Sequence, residues 1–188
     1  MGYHDSNGRY TRTETGILNV PLGSFWEVDG TALAAFSGGD SATPGLALDN
    51  SEAAGLRWNN HANPDPVTAT IPLPFDRQPG SDVTVVVLAS KSGATVGDAV
   101  TFDVGAFVAT VGALHDAGDS LGGTTDAMVG DAAAKSVQRV TLAIAGEDIP
   151  DAPGTLTLTL QPTDGTLGTD DVTVHAVYLE YSKADLAL

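Results

Sequence analysis

The chain has 188 residues, no cysteine, 22 glycines and 10 prolines, and it sets 24 acidic side chains against 8 basic ones for a formal charge of −16. These figures exclude a disulfide framework and a cysteine nucleophile, and they make nucleic acid and anionic membrane poor partners, because phosphate surfaces are bound by clustered Lys and Arg. No apolar run approaches the ~20 residues of a membrane span and the opening MGYHDSNGRYTRTE lacks a signal-peptide core, so the expectation is a chain used without membrane insertion.

Period-2 alternation dominates from end to end, which predicts an all-β chain. Residues 1–20 read as an extended N-terminal arm, in which Tyr3, Arg9, Tyr10 and Arg12 stand out against the acidic background as candidates for an intersubunit contact. Residues 21–188 read as one jelly-roll β-sandwich domain. Strands are predicted at Gly16–Val20, Leu46–Asp49, Gly55–Trp58, Val67–Ile71, Asp82–Ser90, Ala99–Ala109, Lys135–Ala145, Thr155–Gln161 and Asp171–Tyr181. In TLTLTLQ, Leu156, Leu158 and Leu160 fall on one face and Thr155, Thr157 and Thr159 on the other, the pattern of a half-buried antiparallel strand. Val83 to Ala89 is apolar on both faces, as expected of a central strand covered by a second sheet or by a neighbouring subunit. Gly, Pro, Asp and Ser clusters such as FSGGDSATPG and DRQPGSD separate these runs and predict turns. The stretch from Gly112 to Ser136 is too long and too glycine-rich for a hairpin turn and reads as a surface loop, with a short helical turn near Asp131–Ala134.

Catalytic signatures are missing. His4, His61, His115 and His175 are far apart and form no HExxH or paired zinc spacing. His175 is placed mid-strand, on one face with Thr173, Val177 and Leu179. Asp116, Asp119 and Asp126 could offer oxygen ligands to calcium, but their spacing departs from the DxDxDG loop. The GDS triplets at 39–41 and 118–120 lack a GxSxG elbow and read as turns, and the adjacent Asp170 and Asp171 point to opposite faces of a strand. Neither a Walker loop nor GxGxxG is present. The expectation is therefore a protein that is not an enzyme and needs no cofactor or metal. Trp26 and Trp58 remain as candidates for stacking on sugar rings, against the plainer role of core or anchor residues.

The order of segments from about Asn19 to Tyr181, with the phrases IPLPFDRQPGSDVTV and GTLGTDDVTVHAVYLEY, resembles small jelly-roll proteins encoded beside tailed-phage capsid genes, in particular capsid decoration or cement proteins. The resemblance implies a homotrimer on the outer surface of the virion, made in the host cytoplasm, that braces the major capsid protein and reaches its neighbours through an N-terminal arm. Phe102, Val104, Phe107 and Val108 of TFDVGAFV are candidates for the trimer seam. An acidic outward face would keep particles apart and, on its own, also suits a protein hydrated in concentrated salt. The alternative functions are a glycan-binding module and a receptor-binding, neck or tail component.

Overall fold

The structure, a computed structural model, describes residues 14–35, 42–47, 55–59, 63–93, 99–112, 120–128, 134–163 and 170–184 in full, and 2–4 and 10–12 as backbone. Two antiparallel sheets pack face to face as a jelly-roll-like β-sandwich. The first contains β3 (Thr15–Val20), β5 (Gly45–Ala47), β6 (Gly55–Trp58), β8 (Val83–Lys91), β11 (Gln138–Ile144) and β13 (Val172–Ser182). Its order is β11-β8-β13-β6-β5, with β3 also paired to β13. The second contains β4 (Trp26–Glu27), β7 (Val67–Pro72), β9 (Phe102–Thr110), β10 (Gly123–Thr124) and β12 (Gly154–Pro162), in the order β10-β9-β12-β7-β4. They are called here the β8 sheet and the β12 sheet. β1 (Gly2–His4) and β2 (Tyr10–Arg12) pair antiparallel as a separate two-stranded sheet. The nine predicted strands are present to within three residues at either end, the last two residues of the predicted Leu46–Asp49 lying outside the described residues.

Alternation explains the core. Leu156, Leu158 and Leu160 of β12 point inward beside Val67, Ala69 and Ile71 of β7 and Phe102, Val104 and Ala106 of β9, and all are buried. They face Val83, Val85, Val87 and Ala89 of β8 and the inward residues of β13. Burying each such leucine contributes about 1.5–3 kcal/mol before the entropy of ordering is counted. Val86 points outward from β8 yet is wholly buried between its register partners Thr141 and Tyr178, so the doubly apolar strand needs no neighbouring subunit to cover it.

Three expectations change. The arm expected over residues 1–20 divides, because Thr15–Val20 pairs along the C-terminal half of β13 with Gly16 under the Tyr181 ring and Val20 buried. In β13 a bulge between Val174 and Ala176 shifts the alternation, so that Val172, Val174, Val177 and Leu179 all face the core. His175 is thereby separated from Val177 and Leu179, with its Nε2 2.8 Å from Ser90 Oγ. The stretch taken as a surface loop also contributes to the sandwich. The amides of Leu121 and Thr125 donate to Ala106 and Phe102 of β9, that of Met128 to Val100 just before it and that of Asp126 to Thr141 of the other sheet, and Met128 is buried. Residues 121–128 thus close one edge, and a Cβ on Gly122 would collide with the Val104 carbonyl. The helical turn expected near Asp131–Ala134 lies mostly outside the described residues.

Candidate ligand-binding face

The outward face of the β12 sheet is built by the residues that alternate with the core. Register rows run across the strands: Trp26, Thr68, Thr159 and Gly105 form one, and Thr70, Thr157 and Phe107 the next. Thr155, opposite Pro72 and Ala109, extends the field. Threonine suits the pleat through its branched Cβ and leaves a hydroxyl on the outside. Thr70 Oγ1 and Thr157 Oγ1 lie 2.9 Å apart, and Thr159 Oγ1 accepts from the Gly105 amide at 3.0 Å.

An aromatic ring stands at either margin of this field. Trp26 is on β4 and 48% exposed; Phe107 is on β9 and 40% exposed. They are separated by three strand steps, about 14 Å at the usual spacing between paired strands. Trp26 is placed by a local device: buried Phe25 precedes it, and a tight turn follows in which the Glu27 carbonyl accepts from the Gly30 amide. Gly30 has φ +88, a conformation glycine adopts without strain, and Asp29 Oδ1 accepts from the Thr31 amide at 2.8 Å. That backbone hydrogen bond holds the Asp29 carboxyl below its ordinary range. Phe107 is placed by Gly105, because a Cβ there would lie 2.1 Å from Thr159 Oγ1 and 3.5 Å from Phe107 Cε2. The ring therefore leans over the glycine with its other side toward solvent. At the far corner Asp103 Oδ1 accepts from the hydroxyls of Thr124 and Thr163 at 2.8 and 3.3 Å.

The other sequence candidates divide. Trp58 is wholly buried, donates Nε1–H to the Asp65 carbonyl at 2.9 Å and meets Phe102 edge-on, with ring centroids 6.5 Å apart. It has no face to offer a sugar, and buried Phe102 has no surface to offer a trimer seam; both are core residues, as is Val104. Tyr3, Tyr10 and Arg12 lie on the paired strands β1 and β2, with their side chains outside the description, and Arg9, His4, His61, His115, Asp116 and Asp119 likewise offer no described side chain. Asp126 Oδ1 accepts from the Thr141 amide, a structural role, and no three His, Asp or Glu side chains gather as a metal site among the described residues. Asp170 is buried while Asp171 pairs with Arg57. His175 and Ser90 form a hydrogen-bonded pair, and among the described residues the buried His175 Nδ1 has no hydrogen-bond partner.

Sequence reasoning missed the threonine field, whose signal was present in TAT at 68–70 and TLTLT at 155–159. It also missed a second feature, a cleft of about 280 Å³ at one end of the sandwich, lined by Leu73, Phe75, Pro79, Pro150 and Pro153. Buried Arg77 ties its walls together, donating to the carbonyls of Ser81 and Ile149 at 2.6 and 2.8 Å and to Asp151 Oδ1 at 2.7 Å. Phe75 at the rim is 98% exposed.

No protein-family model matches the chain, and no curated protein does. Among solved structures, the chain is similar to a xylan-binding module, CBM15, at 12% identity and a TM-score of 0.51, over 90% of this chain and 99% of that one. It also aligns with the CBM36-1 domain of a multidomain xylanase from the hindgut metagenome of Trinervitermes trinervoides, at 14% identity and a TM-score of 0.44, over 91% of this chain and 99% of that one. The first likeness concerns the fold: an antiparallel β-sandwich of the same build.

Proposed function

We propose that this protein is a non-catalytic glycan-binding module whose ligand lies on the outward face of the β12 sheet. The observation that carries the reading is the pair of half-exposed rings, Trp26 and Phe107, on either side of a field of threonine hydroxyls. A sugar ring has an apolar face of C–H groups and a rim of hydroxyls. The first stacks on an aromatic side chain and the second exchanges hydrogen bonds with side-chain hydroxyls that face water. Because the groups stand on paired strands rather than on loops, binding costs little ordering of the protein. That a xylan-binding module uses the same fold supports a glycan ligand on this scaffold.

Affinity electrophoresis through gels containing xylan, glucomannan or hydroxyethyl cellulose tests the reading. Retardation of the natural chain by one of these, lost in Trp26→Ala, is the expected result. Unretarded migration in every gel would end it.

The second reading is the capsid decoration protein of the family resemblance: a homotrimer on the outer surface of a phage head, in contact with the major capsid protein. The feature that favours it is Phe75, almost fully exposed at the rim of the proline-lined cleft, since exposed apolar surface marks contact sites. Sedimentation of a trimer that Phe75→Asp dissociates, with a copy number in purified particles near that of the major capsid protein, is the outcome it requires.

A further inference from the structure

Six of the eight basic side chains lie in fully described segments, and none stands on the threonine face. Arg57 and Arg139 are engaged with Asp171 and Glu180 on the opposite sheet. Arg77 and Lys183 sit at the pole beside Asp151 and Asp76. Lys91 ends β8, and the Lys135 amide bonds its carbonyl. Arg9 and Arg12 belong to the N-terminal segment. The ionisable side chains described on or beside the face are anionic: Asp103, held by threonine hydroxyls, and Asp29, held by the Thr31 amide in the turn after Trp26.

A carboxylate or sulfate laid on this surface would give up hydration and find hydroxyls and the electron-rich faces of aromatic rings. Among the described residues no guanidinium or ammonium group stands there to replace the lost water. An uncharged sugar forfeits nothing comparable. We infer that the ligand class is an uncharged polysaccharide, and that the face rejects uronate- and sulfate-bearing chains through its own chemistry rather than through the net charge of the protein. This inference rests on the glycan-binding reading above.

The test uses polymers matched in backbone and differing in charge: hydroxyethyl against carboxymethyl cellulose, and methyl-esterified against de-esterified homogalacturonan. Isothermal titration calorimetry is run at low salt and at about 1 M NaCl, where the Debye length is only about 3 Å and long-range repulsion is screened. The charged member of a pair whose neutral member binds is expected to be weaker by about tenfold at both salt concentrations. Equal affinity for the two members, or a difference that vanishes at high salt, overturns the inference while the glycan-binding reading stands. Absence of binding by every polymer overturns both.

A second variant, Thr70→Lys, places an ammonium group on an exposed threonine within the field. It is expected to bring the charged member to within a few-fold of the neutral one. An unchanged ratio in a folded variant would show that the missing cation is not the cause, and the inference would fall.

Discussion

The two sheets turn opposite characters outward. On the β8 sheet Arg139 pairs with Glu180 at 2.8 Å, Arg57 with Asp171 at 2.8 Å and His175 with Ser90 at 2.8 Å, while Val86 is sealed beneath its register partners. On the β12 sheet the outward groups are hydroxyls and two half-exposed rings, without an ion pair among its described residues. Both faces are polar, yet one pairs its charges with each other, whereas the hydroxyls of the other, though bonded at Thr70–Thr157 and Thr159–Gly105, each retain further donor or acceptor capacity. Polar groups already paired must be desolvated and separated before they can serve a ligand, whereas exposed hydroxyls beside a ring can exchange water for ligand at small cost.

The sharpest way to break this comparison is Trp26→Ala. It is expected to weaken binding of a neutral polysaccharide by about 2 kcal/mol, roughly thirtyfold, and to lower the unfolding free energy by only about 1 kcal/mol, because about half of the ring is covered. Calorimetry and urea denaturation read the two quantities. Arg57→Ala reverses the pattern: loss of the partly buried charge-assisted bond to Asp171 should lower stability by about 1–2 kcal/mol and leave glycan affinity unchanged.

Phe107→Ala refines the picture within one face, with an expected loss of about 1 kcal/mol in binding. The loss should appear for oligosaccharides long enough to reach from Trp26 to Phe107 and disappear for shorter ones, which a ladder of chain lengths resolves. A uniform loss at every length would mean that the ligand does not cross the strands.

The smallest effect concerns the Tyr181–Asp76 hydrogen bond at 2.8 Å. Burial, followed by the Asp76 carboxylate, pushes the Tyr181 hydroxyl up to about 12. The same hydrogen bond holds Asp76 below its ordinary range. Because the folded state favours the neutral phenol, this contribution is complete below the unfolded value of about 10 and is lost as pH rises toward 12. The Asp76 contribution runs the other way, present above the unfolded value of about 4 and lost as pH falls. Melting temperatures of Tyr181→Phe between pH 8 and 12 should therefore decline less steeply than those of the natural chain.

Much of the sandwich was legible because hydrophobic alternation is a local property. TLTLTLQ states its own buried and exposed faces, and β12 obeys it residue by residue. The candidate site was legible only in part. Trp26 and Trp58 each follow a short run in sequence, but one precedes an Asp-Gly turn at a sheet edge and the other is closed over by Phe102 from a strand 44 positions away. Phe107 and Phe102 differ by five positions on one strand, so alternation alone places them on opposite faces; a decision about which face was the core was still required. The bulge at His175 left no mark in the local pattern, since both phases of VTVHAVYLEY contain apolar residues.

Composition and alternation by themselves determined that the chain is all-β, where nine of its strands lie, and that its basic residues are few and scattered among acidic ones. Tertiary structure decided which aromatic side chains are exposed, that Gly105 seats the Phe107 ring, and that the TAT and TLTLT hydroxyls form one field. The physical reason is range: alternation is set by the backbone between adjacent residues, whereas a face is assembled by register between strands that the chain joins only through long connections.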